Sequence, residues 1–283
     1  MNSTGNIGTR KSRKYDLATA ESDYAERRGA PDKTLVICTQ QRSGSTLLGE
    51  AIYFAGRLGC PLEYFHSGFR PDFERRWGVY GIQTYADAVH HYRTDPSGVF
   101  SNKLFWWDVI DLVKELAPTE FDKLSRGTAA INDPSLYRRI HATIKVLFPN
   151  PVFVYLSRQD TVAQAISHNN AVESRKWRQF TRTERVRPVP YDFDTIVHYL
   201  ARIQNENRHW QNFFHANALP YYSVVYEELA NNYEATLRQL FTWLGRPDAN
   251  VVPPRLQKQA DAQSEELRRR FLADFRERTG GGA

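Results

Sequence analysis

A chain of 283 residues that is 41% apolar and 13% aromatic can bury one large core, and nothing in its composition marks off a second compact unit. Two cysteines, Cys38 and Cys60, exclude a disulfide framework and fit a reducing compartment; the eight scattered histidines, of which His90-His91 form the nearest cluster, exclude a metal-ligand spacing. A net charge of +6 favours an anionic partner, but the cations form neither a basic helix nor an aromatic ladder, which argues against nucleic acid.

Residues 1–32 mix both charge signs with Gly and Ser and lack apolar periodicity, so they are expected to be a mobile polar tail ahead of a single domain at 33–283. They contain no apolar run of signal-peptide type, and no stretch approaches a membrane span; the expectation is a soluble, cytoplasmic protein. The next segment, Thr34-Leu-Val-Ile-Cys-Thr-Gln-Gln-Arg-Ser-Gly-Ser-Thr-Leu-Leu, carries the clearest signal. A β-branched strand breaks into Arg42-Ser43-Gly44-Ser45-Thr46 and then a helix, the pattern of a loop whose N–H groups and helix end hold an anion. The GxxxxGK[ST] pattern of nucleoside triphosphatases is absent, and with it the Lys-Ser/Thr pair that would serve Mg²⁺. Charge on a bound group must be met by Arg42, N–H groups and the helix end.

Further strands are expected at Gly98–Phe105, Pro151–Leu156 and Tyr221–Tyr226, with Thr34–Cys38 the first of four. Helical patterns alternate with them. After Arg158, Asp160 is placed as an N-cap, with Gln164 and Ser167 on its face and Val162, Ala165 and Ile166 opposite. Ile196, Tyr199, Leu200, Ile203, Trp210 and Phe214 share one face of a long helix; Leu237, Leu240, Phe241 and Leu244 share another that Gly245 ends. Ser264 reads as a helix start, with Leu267, Phe271 and Phe275 on one side. The basic stretch Arg175–Arg187 reads as a solvated loop or helix end, or else as the mouth of a site. The alternation predicts an α/β fold, a central parallel sheet flanked by helices through right-handed crossovers. Sites in such folds lie at the carboxyl ends of strands, where Arg42, Lys103 and Arg158 would converge.

Four segments together, Gln41-Arg-Ser-Gly-Ser-Thr-Leu-Leu, Cys60-Pro-Leu-Glu-Tyr-Phe-His, Ser157-Arg-Gln-Asp-Thr-Val-Ala-Gln-Ala-Ile-Ser and Tyr226-Glu-Glu-Leu with its Leu-rich helix, resemble the sulfotransferase superfamily. The likeness is greatest to the bacterial trehalose 2-sulfotransferase family and runs from about Leu35 to about Phe271. It implies a P-loop-like sheet of sulfotransferase type and 3′-phosphoadenosine 5′-phosphosulfate (PAPS) as donor, with no metal. It also implies a carbohydrate acceptor (trehalose, another sugar or a glycolipid) and a homodimer.

Residue by residue, the resemblance makes Glu63, in its Glu-aromatic-Phe setting, the general base; from the residues alone, Leu62, Tyr64 and Phe65 would desolvate it unless strand alternation turns them away. Arg42, with the loop groups of Ser43, Gly44, Ser45 and Thr46, would stabilise the bridging oxygen of the donor. An arginine cannot readily give up its proton, so the proton work falls to Glu63. Lys103 would touch the sulfate, or else snorkel over Trp106. Arg158 and Ser167 would hold the 3′-phosphate, with Gln164 a competing ligand because the Arg–Ser spacing is nine. Lys258 and Ser264 would touch the donor from a closing loop. Gln41 and the run Cys60, Pro61, Leu62, Glu63, Tyr64, Phe65 and His66 would bind the acceptor, with Trp77 stacking on a sugar; Ser67–Arg76 departs from the family pattern. The residues alone leave two rivals open, an ATP-dependent small-molecule kinase and a noncatalytic anion- or nucleic-acid-binding protein.

Overall fold

Short apolar runs become strands covered on both faces. In the computed structural model, which describes residues 16–24, 29–175, 177, 189–255 and 262–280, four such runs form β1 (Lys33–Thr39), β2 (Val99–Phe105), β3 (Pro151–Ser157) and β4 (Tyr221–Val225). All pairings are parallel and the order is β2-β1-β3-β4. Each lies within two residues of the expected strand; Tyr226 opens a helix instead of closing β4.

The helices are α1 (Ser45–Ala55), α2 (Arg70–Trp77), α3 (Ile82–Arg93), α4 (Trp106–Leu116), α5 (Pro134–Ile144), α6 (Thr161–Ser174), α7 (Phe193–Ala216), α8 (Tyr226–Asn231), α9 (Tyr233–Trp243) and α10 (Ala262–Gly280). Because successive side chains of a strand point to opposite faces, β1 serves two cores. Leu35 and Ile37 pack with Leu48 and Ile52 of α1 and with Leu237, Leu240 and Phe241 of α9. Val36 and Cys38 pack on the other side with residues of α3, α4 and α5 and with Trp210, Phe213 and Phe214 of α7. A third cluster joins Ala165 and Ile166 of α6 to Ile196 and Ile203 of α7 and to Leu267 and Phe271 of α10. The helix faces read from the sequence are thus the packed ones, although Phe275 stays exposed.

Two expectations need correction. Residues 16–24 belong to the domain: Leu17 is buried in the core, and fully buried Arg93 donates to the carbonyls of Leu17 (2.9 Å), Thr19 (3.1 Å) and Ser22 (3.2 Å). Arg93 Nε also pairs with Asp23 at 2.9 Å. A buried guanidinium requires such acceptors, and composition cannot show where it finds them. Ser264 lies inside the first described turn of α10, which is described from Ala262, rather than ahead of the helix. Lys258 and most of Arg175–Arg187 fall outside the described residues.

Candidate active site

The register Thr39↔Phe105 and Ser157↔Val225 brings the carboxyl ends of β1, β2, β3 and β4 to one edge of the sheet. Beyond β1 the chain turns through Arg42 (φ 61) and Gly44 (φ 89), both left-handed. A Cβ at Gly44 would lie 2.9 Å from Cε2 of Tyr226 and closer still to Cδ2, so only glycine fits. Leu48 N–H is taken by Gly44 O at 3.1 Å. The N–H groups of Ser45, Thr46 and Leu47 are therefore those an α-helix leaves without an acceptor of its own. The Ser43 hydroxyl is not part of that cradle: it is fully buried and shares a 2.6 Å hydrogen bond with Thr39, whose Oγ1 donates to Leu156 O at 2.8 Å.

Around the loop stand two arginines. Arg42 Nε donates to Ser167 Oγ (3.1 Å) and Nη1 to Trp177 O (2.8 Å), both neutral acceptors. Burial, and then the nearby Arg158, bring the Arg42 pKa down to about 10. Arg158 donates to Arg42 O (3.3 Å), lies 4.8 Å over the Tyr226 ring and approaches Glu227 at 3.8 Å. Glu227 is itself fixed by the N–H groups of Gln159 (3.0 Å) and Asp160 (3.2 Å). Asp160 caps α6 as expected, accepting from Ala163 N at 2.8 Å, and also receives Arg268 of α10 at 2.8 Å. Ser167 thus meets Arg42 in this state, while Gln164 is fully buried and donates to Gln41 O at 2.8 Å.

The second half of the site lies against β2. The run from Cys60 hydrogen-bonds there through Lys103 N–H to Leu62 O (2.8 Å), with Leu62 bridged in parallel to Asn102. Gly49, one turn into α1, lets the helix approach Pro61 and Lys103. Cys60, Pro61, Leu62, Tyr64 and Phe65 turn their side chains into the interior; Glu63 and His66 remain partly open. The expectation that the whole run faces an acceptor is corrected accordingly. Glu63 is largely enclosed and pairs with Lys103 Nζ at 2.6 Å, the side chains being 12% and 1% exposed. Lys103 sits inside β2 and does not reach over Trp106, whose ring stacks on His209.

His66 accepts from Gly68 N at its Nδ1 (2.9 Å), so the neutral ring carries its proton on Nε2. Burial lowers its pKa, and the Glu63 charge only partly opposes this. Trp77 is committed elsewhere: it stacks on Tyr92 with centroids 5.2 Å apart and donates to Asp23 at 3.2 Å. The indole beside Glu63's segment is Trp107, 5.6 Å from the His66 ring. Sequence reading missed Trp107 and Asp108. Asp108 is buried, accepts from Phe105 N at 3.2 Å, and has its pKa raised well above normal by burial and then, past that hydrogen bond, by Glu63. It also missed His168, whose pKa burial depresses to about 3, assisted by Arg202 and Arg42.

That last shift has a measurable consequence. A folded-state pKa depressed below the unfolded one contributes stability that is full above about pH 6.5 and is lost as pH falls towards about 3. His168→Gln should flatten the loss of stability over that window, measured as denaturant midpoint against pH. An unchanged slope would show that His168 is not what titrates.

Among the described residues, no three His, Cys, Asp or Glu side chains cluster as metal ligands would, and no helix is long and apolar enough to cross a membrane.

The chain is similar to several known proteins. The chain is 28% identical to the trehalose 2-sulfotransferase of Mycobacterium tuberculosis, over 85% of this chain and 94% of that one. It is 25% identical to the trehalose 2-sulfotransferase of Mycolicibacterium smegmatis, over 84% and 94%. A solved sulfotransferase from Alicyclobacillus acidocaldarius aligns at TM-score 0.41 and 13% identity, over 87% of this chain and 93% of that one. The Stf0 sulphotransferase family model matches residues 34–274. By that match, spanning the glycine loop, the Glu63 segment and all four strands, the chain belongs to the Stf0 sulphotransferase family.

Proposed function

We propose that this protein transfers sulfate from PAPS to a hydroxyl of a carbohydrate, with trehalose the first acceptor to test. The observation that carries the reading is the pairing of two unlike half-sites at one sheet edge. On one side, Arg42 and Arg158 crowd a glycine loop, and among the described residues Arg42 donates to the neutral acceptors Ser167 and Trp177. On the other, a carboxylate, Glu63, is held by Lys103. The first suits a polyanionic donor and the second a neutral alcohol that must lose a proton.

The donor would supply an activated sulfuryl group. Its phosphates would meet Arg42, Arg158 and the N–H groups from Gly44 to Thr46, where charge-assisted and helix-terminal contacts add. Ser167 would exchange its bond to Arg42 for one to the 3′-phosphate, and Gln164, already bonded to Gln41, serves to hold the loop. Glu63 would take the acceptor's proton, a contribution of about 10²- to 10⁴-fold. Lys103 orients Glu63. Arg42 would face the oxygen that gains charge as the sulfur leaves it. His66, neutral with Nε2–H available for hydrogen bonding, would contact acceptor hydroxyls.

Titrating adenosine 3′,5′-bisphosphate into the protein by calorimetry tests the donor half, with Arg42→Met expected to weaken binding at least tenfold. Incubation with labelled PAPS and a panel of disaccharides and glycolipids, read by mass, tests the acceptor half. Absence of bisphosphate binding, or a product formed only with ATP, would overturn the reading.

A further inference from the structure

We infer that Arg202 of α7 is a further catalytic residue, its guanidinium bordering both half-sites and receiving the oxygens of the sulfuryl group as it passes to the acceptor. The inference rests on reading the site as a sulfate-transfer centre.

Arg202 is held from two directions. Its Nε donates to Glu206, one turn along α7, at 3.0 Å, and Glu206 is almost wholly buried. Its guanidinium carbon lies 4.1 Å from the centroid of Trp107. Through Trp107 it adjoins the acceptor half, since that ring contacts His66 (5.6 Å) and Phe105 (6.0 Å), the last residue of the strand that carries Lys103. Through His168 it adjoins the donor half. That imidazole packs 4.4 Å from the ring of Tyr199, three residues before Arg202 on α7, follows Ser167, which accepts from Arg42 Nε, and lies 5.8 Å from the ring of Trp177, whose carbonyl takes Arg42 Nη1. Arg202 therefore adjoins the Glu63 segment through Trp107 and the residues that hold Arg42 through Tyr199 and His168.

Stability gives little reason for a guanidinium here. The Arg202 side chain is 25% exposed, and ion pairs open to solvent contribute little, while the next residue on α7, Ile203, is buried and apolar. The chemistry gives a stronger one. As the acceptor oxygen bonds to sulfur and the bond from sulfur to the bridging oxygen breaks, the proton goes to Glu63 and the negative charge to the departing phosphate. The three non-bridging sulfuryl oxygens stay anionic throughout and need a fixed donor that moves with neither partner. A guanidinium stacked on an indole and anchored by a buried carboxylate is such a donor.

The test compares Arg202→Met with the unaltered protein in calorimetry, with adenosine 3′,5′-bisphosphate present, using trehalose and trehalose 2-sulfate as probes. The sulfated sugar should lose at least tenfold in affinity while trehalose and the bisphosphate change less than threefold, and kcat should fall about 10²-fold or more. Equal effects on both sugars, or none, would overturn the inference, since a packing role cannot distinguish them. Arg202→Met strands Glu206, so the double variant Arg202→Met/Glu206→Gln is measured beside it. Return of thermal stability without return of the preference for sulfated sugar upholds the role, whereas recovery of that preference overturns it. If the unaltered protein binds neither sugar, it is the acceptor reading that has failed. Inorganic sulfate with the bisphosphate then decides: a tenfold loss in Arg202→Met supports the inference and equal affinity ends it.

Discussion

Glu63→Gln is expected to lower kcat for sulfate transfer by about 10³-fold, within the range general-base loss produces, with adenosine 3′,5′-bisphosphate still bound within about twofold of normal affinity. The separation follows from placement. Glu63 sits on the run that hydrogen-bonds to β2 through Leu62 and pairs with Lys103, whereas the glycine loop is shaped by Gly44, Tyr226 and the two arginines. The amide of glutamine can still accept from Lys103 through its carbonyl, so the nearly enclosed ammonium keeps a hydrogen bond and the local fold is retained. What is lost is the capacity to take a proton. Measurement of kcat beside calorimetric affinity checks both halves of the expectation. A kcat within fivefold of the unaltered protein removes Glu63 from the chemistry, and a parallel loss of nucleotide binding shows that the substitution has reached the loop.

Gly44→Ala is expected to do the converse, weakening bisphosphate binding about a hundredfold or more. Two costs add at this position. A non-glycine residue at φ 89 carries backbone strain of about 1–3 kcal/mol, and the new methyl would overlap the Tyr226 ring. Tyr226 cannot yield freely, because Arg158 lies over its ring and Glu227, the next residue, is tied to the backbone of Gln159 and Asp160. The displacement therefore passes to Arg158, one of the two cations of the loop. Adding Tyr226→Ala removes the overlap but not the strain, so the double variant should recover only part of the loss. Calorimetry on the three proteins checks this. Binding by Gly44→Ala within threefold of normal would show that the loop relaxes around the methyl group.

Much of this fold is legible from local pattern. The four strands are short apolar runs, and α7 and α9 announce their buried faces through Ile196, Ile203 and Trp210 and through Leu237 and Phe241. The glycine loop is legible for a related reason, since a left-handed turn between a strand and a helix leaves its mark within five residues. What local pattern does not carry is pairing between distant side chains. Nothing near Glu63 indicates its ion pair with Lys103, forty positions on. Trp77 looked available for stacking because Asp23 and Tyr92 lie far from it in sequence. Arg202 and Glu206, at i and i+4, have the spacing of an ordinary surface pair; only the topology brings Trp107 beneath the guanidinium.

The grip of Arg93 on residues 17–22 sets an order of events during synthesis. Its acceptors leave the ribosome first, 71 to 76 positions ahead of the side chain that needs them, and by then β1 and α1 have also emerged. That segment must wait undocked until the third helix is made, so this clasp cannot close before Arg93 has followed it out. A version of the protein cut back to the first strand would lose the carbonyls of Leu17, Thr19 and Ser22 and the carboxylate of Asp23 together, leaving that guanidinium to water and Cys60 Sγ.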